Sequence, residues 1–311
     1  MRLFVCGLGY TGLRSAEVFR AAFAERGVCV GGCVRSPEKQ ATLARSHPWL
    51  ETFVLDLDDA YAGLGAGGEA FLAASTHVLQ TVPPIADLDA DPLLALHGAA
   101  LRSGALEWVG YCSTTGVYGD HGGAWVDEDA ALKSAAPKLV ARVAAESAWR
   151  AFGAEAGVAV DVARLGGIYG PGRSMLDAPG LADVVAAGKG ADRPVNRIHV
   201  DDIAGAIAAA AANPDAGGRT LNFVDDDPAS RFDVAAEALR LLGDRASDGP
   251  GAARHTTRNP DAVRLVETKR VSNARLRNDV GYNLAAPTYR EGLRRILEDV
   301  DTRRAAVDAR R

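Results

Sequence analysis

The first twelve residues constrain the fold more than any other part of this 311-residue sequence. The apolar run from Arg2 to Cys6 is typical of a buried strand, and the pattern Gly7-Leu-Gly9-Tyr-Thr-Gly12 follows it directly. Apolar residues then recur at helical spacing, at Val18, Phe19, Ala22 and Phe23. A strand, a glycine turn and a helix in this order are typical of a binding site for dinucleotide phosphates.

Each glycine of the turn has its own physical role. Gly7 permits a tight turn off the strand, Gly9 lets a pyrophosphate approach the backbone, and Gly12 lets the helix pack closely on the strand. The helix N-terminus then offers free N–H groups to the phosphates. We therefore predict cofactor contacts at Gly7, Gly9, Tyr10, Thr11 and Gly12. The alternative is a purely structural turn, in a sequence with 34 glycines.

Charge and cysteine usage exclude several kinds of partner. The sequence has 35 Lys plus Arg against 40 Asp plus Glu, and the net charge of -5 is spread without long runs. Neither a nucleic-acid partner nor a membrane partner is indicated, so we expect a small-molecule substrate. The four cysteines form neither a CxxC pair nor a zinc-type spacing, which predicts reduced thiols and no metal site.

No apolar run approaches the length of about 18 residues that a membrane span needs. Because a strand is expected from residue 2, we predict no signal peptide, transit peptide or membrane span. We expect a soluble cytoplasmic protein. A location in an organelle is the alternative if a targeting segment has been removed.

Five predicted strands alternate with predicted helices through the first 112 residues. The strands are Arg2–Cys6, Val28–Val34, Leu50–Leu55, Thr76–Val82 and Leu106–Cys112. Right-handed crossovers between them imply an α/β fold, a Rossmann-type doubly wound parallel sheet with its ligand at the carboxyl ends of the strands. We predict that residues 1–170 form the NAD(P)-binding domain, that a strand and helix around 195–225 return to it, and that 171–311 form a smaller C-terminal substrate lobe. The sequence leaves open whether the protein forms a homodimer.

The end of the second strand bears on the choice of cofactor. An acidic residue there accepts from the ribose 2′-OH of NAD, whereas Arg accommodates the 2′-phosphate of NADP. Arg35 and Ser36 occupy this place without an acid, which favours NADP over NAD. The alternative is a solvated Arg. Further cofactor contacts are expected at the ends of the later strands, at Asp56, Leu57, Thr81, Val82 and Pro83.

Two later loops are expected at the same edge of the sheet. The fifth strand runs into a cluster of hydroxyl side chains that includes Ser113 and Thr114. The loop from Gly166 to Arg173 holds glycines and a proline between apolar elements, so we expect it to close over the ligand. We predict cofactor contacts at Gly167 and Ile168, and substrate contacts at Ser113, Tyr169, Arg173 and Arg197. We expect Arg164, which precedes this loop, to pair with a carboxylate at the edge of the core, and for Arg173 a structural ion pair is the alternative.

Four segments together resemble the extended short-chain dehydrogenase/reductase family, which includes UDP-galactose 4-epimerase and other NAD-dependent epimerase/dehydratases. They are GLGYTG at the start, STTGVYG from Ser113, RLGGIYGPGRS from Arg164 and NRIHVDDIA from Asn196. The GVYGDHGGAWVDE stretch and the KRVSNARLR segment look most like the atypical, YeeZ-like members. The resemblance implies hydride transfer between NAD(P) and a small carbonyl, alcohol or sugar-type substrate.

The sequence departs from the family where the proton donor belongs. In family enzymes a Ser or Thr four residues before the Tyr of the VYG run holds the reacting oxygen, which implies Thr114 here. A Tyr-x-x-x-Lys motif then precedes a Glu. Counting back from Glu146 puts Arg142 in the place of the Lys and Lys138 in that of the Tyr. Arg142 can hold ribose hydroxyls, but an Arg stays charged and cannot shuttle a proton.

Three other side chains are candidates for the missing donor: Tyr118, Lys138 and Tyr169. The alternatives are a solvated Lys and two packed loop aromatics. Two functions therefore stay open. One is an NAD(P)-dependent enzyme without the usual Tyr-Lys pair, and the other is a non-catalytic NADP-binding sensor or scaffold.

Overall fold

The computed structural model describes residues 1–57, 63–85, 91–102, 104–188, 193–214, 217–243 and 268–308. The strands are β1 Arg2–Cys6, β2 Cys29–Val34, β3 Leu50–Val54, β4 His77–Gln80, β5 Trp108–Thr114, β6 Trp125–Val126, β7 Ala159–Leu165, β8 Gly167–Tyr169, β9 Arg197–His199, β10 Thr220–Phe223 and β11 Arg270–Val271. The helices are α1 Tyr10–Ala22, α2 Pro37–Ser46, α3 Gly65–Ala73, α4 Pro92–Leu101, α5 Pro137–Ala156, α6 Leu181–Ala187, α7 Val200–Ala211, α8 Arg231–Leu242, α9 Ala274–Val280 and α10 Tyr289–Asp308.

Seven strands form one sheet in the order β3-β2-β1-β4-β5-β7-β10. Every pairing within it is parallel. The strand order reverses direction between β1 and β4, which is the switch point where ligands bind in such sheets. The predicted Rossmann-type doubly wound sheet is confirmed.

Strand β1 is apolar from Leu3 to Cys6, where both of its faces are buried. Leu3 and Val5 pack in a cluster with side chains of α1 and α7. Phe4 and Cys6 pack on the opposite face with side chains of α3, α4 and α5. The glycine turn therefore leaves the sheet from a strand that is buried on both faces.

The segment around 195–225 contributes to the same layers. Helix α7 packs on α1, and β10 pairs with β7 at the edge of the sheet. Arg14 on α1 donates from Nε to Oδ1 of Asp201 on α7 over 2.7 Å. The boundary at residue 170 stays a prediction.

A second core lies among the later helices. Its buried members include Leu181 of α6, Val234 of α8 and Leu293 of α10. The predicted polar loop near 244–259 lies outside the described residues. In the described part of the chain, no helix combines the length and apolar composition needed to cross a bilayer.

Candidate functional site

The glycine turn after β1 combines tight packing with one open position. Gly7 has a φ of +95°, and a Cβ on it would lie 2.6 Å from Oγ1 of Thr81. A Cβ on Gly12 would lie closer than 3.0 Å to the carbonyl oxygen of Gly7. Around Gly9, by contrast, a Cβ would meet no atom within 4 Å. The turn is therefore closed on its protein side and open above Gly9.

The N-terminus of α1 borders this open position. Gly9 is its N-cap residue, no side chain caps the helix, and no acidic residue lies in its first turn. The first N–H groups of a helix have no partner within the helix, and the helix dipole favours an anion beside them. An open space beside free N–H donors matches what a pyrophosphate requires.

Thr81 braces the turn from the end of β4. Its hydroxyl lies 2.8 Å from the carbonyl oxygens of both Cys6 and Gly7. The next residue, Val82, donates its N–H to Oε1 of Gln80 over 3.0 Å, and Pro83 follows with its side chain exposed. The three residues line the switch-point edge beside the glycine turn, and the hydroxyl of Thr81 serves the turn itself.

Tyr10 connects the glycine turn to the loop after β8. Its hydroxyl donates to the carbonyl oxygen of Pro171 over 3.1 Å. The guanidinium carbon of Arg173 lies 5.5 Å from the centre of the Tyr10 ring. Burial raises the pKa of Tyr10 to about 12, so its hydroxyl is neutral at pH 7. The Gly166–Arg173 loop thus reaches the ligand edge, with Gly167 exposed and Ile168 half-buried.

The ends of β2 and β3 bring opposite charges together. Nε of Arg35 lies 3.8 Å from Oδ1 of Asp56, and the two side chains are 73% and 40% exposed. Ser36 caps α2, because its Oγ accepts from the N–H of Lys39 over 3.4 Å. An acidic side chain therefore lies beside Arg35, but it follows β3, next to Leu57, and does not end β2.

At the end of β5, two neighbouring hydroxyls take opposite directions. Oγ1 of Thr114 accepts from the N–H of Gly116 over 3.2 Å, and its side chain is half-buried. Ser113 is only 3% exposed and donates to Oε1 of Glu146 over 2.6 Å. The Ser113 hydroxyl is therefore bound inside the core, which argues against the predicted substrate contact; that contact stays a prediction.

Helix α5 carries the two residues that stand in place of the Tyr-Lys pair. Arg142 donates from Nη1 to the carbonyl oxygen of Cys112 over 2.6 Å, so it lies at the end of β5. Lys138 is exposed in the first turn of the helix. The structure thus supports Arg142 at the ligand edge and the solvated alternative for Lys138.

Tyr118 belongs to a buried polar network rather than to the open edge. It is fully buried, and its hydroxyl donates to Oδ1 of Asn222 over 2.7 Å. Nη1 of Arg164 donates to the same hydroxyl over 3.0 Å. Burial raises the pKa of Tyr118. The Tyr118 hydroxyl is therefore bound on both sides by protein groups, which argues against a role as proton donor; that role stays a prediction.

The same network contains an ion pair. Arg164 donates from Nε to Oε1 of Glu146 over 3.2 Å and from Nη2 to Oε2 over 2.8 Å. Both side chains are buried. Sequence reasoning anticipated a carboxylate partner for Arg164 but missed that this partner also holds Ser113.

Two other residues predicted to contact the substrate, Tyr169 and Arg197, lie against other parts of the protein. The Tyr169 hydroxyl lies against α10, since a Cβ on Gly292 would be closer than 3.0 Å to it, and burial raises the pKa of this hydroxyl. Arg197 donates from Nη1 to the carbonyl oxygens of Val195 and Ala229 over 2.8 and 2.6 Å. The Arg197 side chain is thus bound to backbone carbonyls, whereas the buried Tyr169 hydroxyl has no hydrogen-bond partner among the described residues. Both substrate contacts stay predictions. Arg173 remains exposed beside Tyr10.

In the described ranges, no three His, Cys, Asp or Glu side chains are grouped so that they could hold a metal ion.

Comparison with known proteins agrees with the geometry. A conserved protein of unknown function from Silicibacter pomeroyi is 33% identical, with 96% of this chain and 99% of that chain covered and a TM-score of 0.73. UDP-glucuronic acid 4-epimerase from Bacillus cereus, in complex with NAD, is 17% identical, with 94% of both chains covered and a TM-score of 0.66. UDP-N-acetylglucosamine 4-epimerase from the same organism is 13% identical, with 95% and 97% covered and a TM-score of 0.65. No curated protein matches the chain.

A family model identifies the central part of the chain. The model described as "NAD dependent epimerase/dehydratase family" matches residues 93–223, which span β5, the Thr114 turn, α5 and the loop after β8. The YeeZ-like subgroup stays a prediction. Together with the full-length relative and the open glycine turn, this match leads to one conclusion: the chain belongs to the NAD-dependent epimerase/dehydratase family.

Proposed function

We propose that the protein binds a nicotinamide dinucleotide, NADP in preference to NAD, at the glycine turn and uses it as an oxidoreductase or epimerase. The substrate would be a small carbonyl, alcohol or sugar-type compound. The observation that carries the proposal is the contrast between Gly9, which faces open space, and Gly12, which packs against Gly7. A merely structural turn has no need of an open glycine beside an uncapped helix.

The cofactor would be held by residues along the carboxyl edge of the sheet. The N–H groups at the start of α1, around Thr11, would bind the pyrophosphate. Arg35 would bind the 2′-phosphate, because its guanidinium is exposed, and surface pairs such as the one it forms with Asp56 are weak. Arg142 uses one N–H on the Cys112 carbonyl and carries further donors for ribose hydroxyls. When bound, the nicotinamide accepts or supplies the hydride.

Thr114 would orient the reacting oxygen of the substrate. Its Oγ1 accepts a hydrogen bond from the N–H of Gly116. Because a hydroxyl has one proton to donate, this contact leaves that proton for a substrate oxygen. Thr114 would thus hold the substrate carbonyl or alcohol without itself changing protonation state.

The source of the catalytic proton distinguishes this protein from family members with the Tyr-Lys pair. Lys138 is exposed, Tyr118 is locked to Asn222, and Tyr169 packs on α10. Solvent water or a group on the substrate would then carry the proton at the Thr114 site. This predicts turnover that is insensitive to Lys138→Met.

A second candidate function is favoured by the same observation. A protein without a proton donor at α5 can still bind NADP and report its concentration to a partner, as a sensor or scaffold. Both functions need the same turn. They differ only in whether a substrate is turned over.

The experiment that separates them has two parts. NADPH and NADH are titrated by calorimetry into the wild-type protein, and NADP-linked turnover is then screened with aldehydes, ketones, alcohols and UDP-sugars. UDP-sugars are included because similar structures are UDP-sugar 4-epimerases. Tight NADPH binding with turnover supports the enzyme, and tight binding without turnover supports the sensor. If neither NADPH nor NADH binds, both the enzyme and the sensor functions are contradicted.

We further propose a cytoplasmic location and small-molecule partners only. The four cysteines are free thiols, as expected in a reducing compartment. Whether the protein forms a homodimer is measured by light scattering during gel filtration.

A further inference from the structure

Two cysteine side chains meet directly beneath the glycine turn. Cys6 ends β1, and in the parallel pairing of β1 and β2 its register partner is Cys33. Their Sγ atoms are 3.8 Å apart, and both residues are buried. A disulfide needs Cα atoms about 4.4–6.8 Å apart, and paired strands lie about 4.7–4.9 Å apart. The spacing of the two strands therefore lies within the range of a disulfide, and closing the gap between the sulfurs needs rotation of both side chains and a small shift of the strand ends.

The backbone of both cysteines holds the turn. The carbonyl oxygen of Cys6 accepts from the N–H of Thr81 over 3.0 Å and from its hydroxyl over 2.8 Å. The carbonyl oxygen of Cys33 accepts from the N–H of Leu8 over 2.8 Å. A change in the strand ends at Cys6 and Cys33 is thus passed directly to Gly7 and Leu8.

The two thiols differ in acidity. Contact with Cys6 and a hydrogen bond from the backbone N–H of Gly7 lower the pKa of Cys33. Contact with Cys33 and burial raise the pKa of Cys6. Burial also raises the pKa of Cys112, to about 12, and that of Cys29. Because the thiolate is the reactive form, Cys33 is the favoured nucleophile and Cys6 is the adjacent thiol that can resolve it.

We propose that Cys6 and Cys33 are a redox modification site, which hydroperoxides convert to a reversible disulfide that weakens cofactor binding at the glycine turn. The effect on the cofactor rests on the proposed function, whereas the disulfide does not.

The reaction balances with a hydroperoxide as oxidant. The Cys33 thiolate attacks one oxygen of hydrogen peroxide, the O–O bond breaks, and the departing hydroxide takes up a proton to become water. The sulfenic acid left on Cys33 is attacked by the sulfur of Cys6, which forms the S–S bond and expels hydroxide. That hydroxide takes the Cys6 proton and leaves as the second water. Two thiols lose two electrons, and the peroxide gains them.

The expected effect on the turn follows from its close packing. Drawing the sulfurs together shifts the ends of β1 and β2. Gly7 cannot move to compensate, because its carbonyl oxygen already packs against Gly12. The N–H groups of α1 and the turn then lose their alignment for a pyrophosphate. We expect NADPH affinity to fall by at least about tenfold, the loss of one net hydrogen bond or more.

The test treats wild-type protein with hydrogen peroxide and measures its intact mass, its Cys6–Cys33 cross-linked peptide and its NADPH affinity. The expected result is a loss of two hydrogen atoms, the cross-linked peptide and weaker NADPH binding, all reversed by dithiothreitol. Cys33→Ser and Cys6→Ser should lose the response, and either suffices if the other folds poorly. Cys29→Ser, on the same strand, should keep it.

Three outcomes would overturn the inference. If both cysteines stay fully alkylatable after peroxide treatment, the site does not form a disulfide. If the cross-link forms and NADPH affinity is unchanged, the control of cofactor binding is wrong. If oxidised Cys33→Ser loses NADPH binding as the wild type does, another residue is responsible. Should the reduced protein bind no NADPH at all, the proposed function fails, and the mass measurement still decides whether the disulfide forms.

Discussion

The glycine turn offers a pair of substitutions with opposite expected effects. Gly9 has φ -82° and ψ -158°, an extended conformation that any residue can adopt, and open space lies where its side chain would be. In Gly9→Val, the loss of chain freedom in the unfolded state contributes about 0.4–1 kcal/mol to stability. An apolar N-cap residue costs a similar amount. We therefore expect the free energy of unfolding to stay within about 1 kcal/mol of wild type.

Gly12→Ala, by contrast, should lower the free energy of unfolding. Its Cβ would meet the backbone oxygen of Gly7 and lie 3.0 Å from Cγ1 of Val5. The Gly7 oxygen belongs to the backbone and cannot move aside by a side-chain rotation. Helix α1 must therefore shift. Overpacking of this kind costs about 1–3 kcal/mol or more, and each kcal/mol lowers Tm by roughly 1–2 °C in a protein of 311 residues.

Calorimetric titration and thermal unfolding measure the two effects. A Val side chain above Gly9 would keep the pyrophosphate from the N–H groups of α1. Losing one hydrogen bond to a charged group costs about 1.5–3 kcal/mol, or roughly ten- to hundredfold in NADPH affinity. Gly9→Val should lose that affinity with a Tm near wild type, whereas Gly12→Ala should lose Tm. Undiminished NADPH binding by a folded Gly9→Val variant would refute the assignment of this turn to phosphates.

Three further predictions follow from other contacts. Arg35→Ala should weaken NADPH binding roughly tenfold or more with little effect on NADH, whereas Arg45→Ala, an exposed Arg on α2, should change neither in the same titrations. Burial raises the pKa of Asp225 from 3.8 to about 8. The folded state holds the Asp225 proton more tightly than the unfolded state does, so the free energy of unfolding should fall as pH rises from about 4 to 8, by up to about 1.4 kcal/mol per pH unit. Urea unfolding across this range should show a weaker pH dependence for Asp225→Asn, and an unchanged pH dependence would contradict the raised pKa. Glu146→Ala should lower stability by about 3–5 kcal/mol in urea unfolding, because it leaves the Arg164 charge buried without its carboxylate, and a cost under about 1 kcal/mol would contradict the buried pair.

The elements that the sequence predicted well are those with a local cause. The turn from β1 to α1 depends on a contiguous apolar run and three glycines, so twelve residues contain the whole signal. The parallel sheet followed from alternating strands and helices. Strand boundaries moved by one or two residues, as at β4, which begins at His77 rather than Thr76.

Sequence reasoning did not find the partners of side chains whose direction depends on distant residues. Ser113 and Thr114 are adjacent and chemically alike, but neighbouring strand residues point to opposite faces, and only the fold shows that Glu146 receives Ser113. Tyr118 is bound by residues 46 and 104 positions away in the sequence. Tyr169 is covered by Gly292 of α10. No local pattern predicts such partners.

The pairing of Arg35 with Asp56 had a signal that sequence reasoning did not use. Both residues follow strands, and β2 and β3 are neighbours in the sheet, so their ends must meet. The strand order of a doubly wound fold would have predicted this contact.

The measurement that tests the central claim most directly is a crystal structure of the protein with NADPH bound. We predict that the pyrophosphate lies against the first N–H groups of α1 above Gly9, that Arg35 contacts the 2′-phosphate, and that the nicotinamide lies at the Thr114 edge. A cofactor bound away from Gly9, or a crystal grown at saturating NADPH with no cofactor at the turn, would contradict the account.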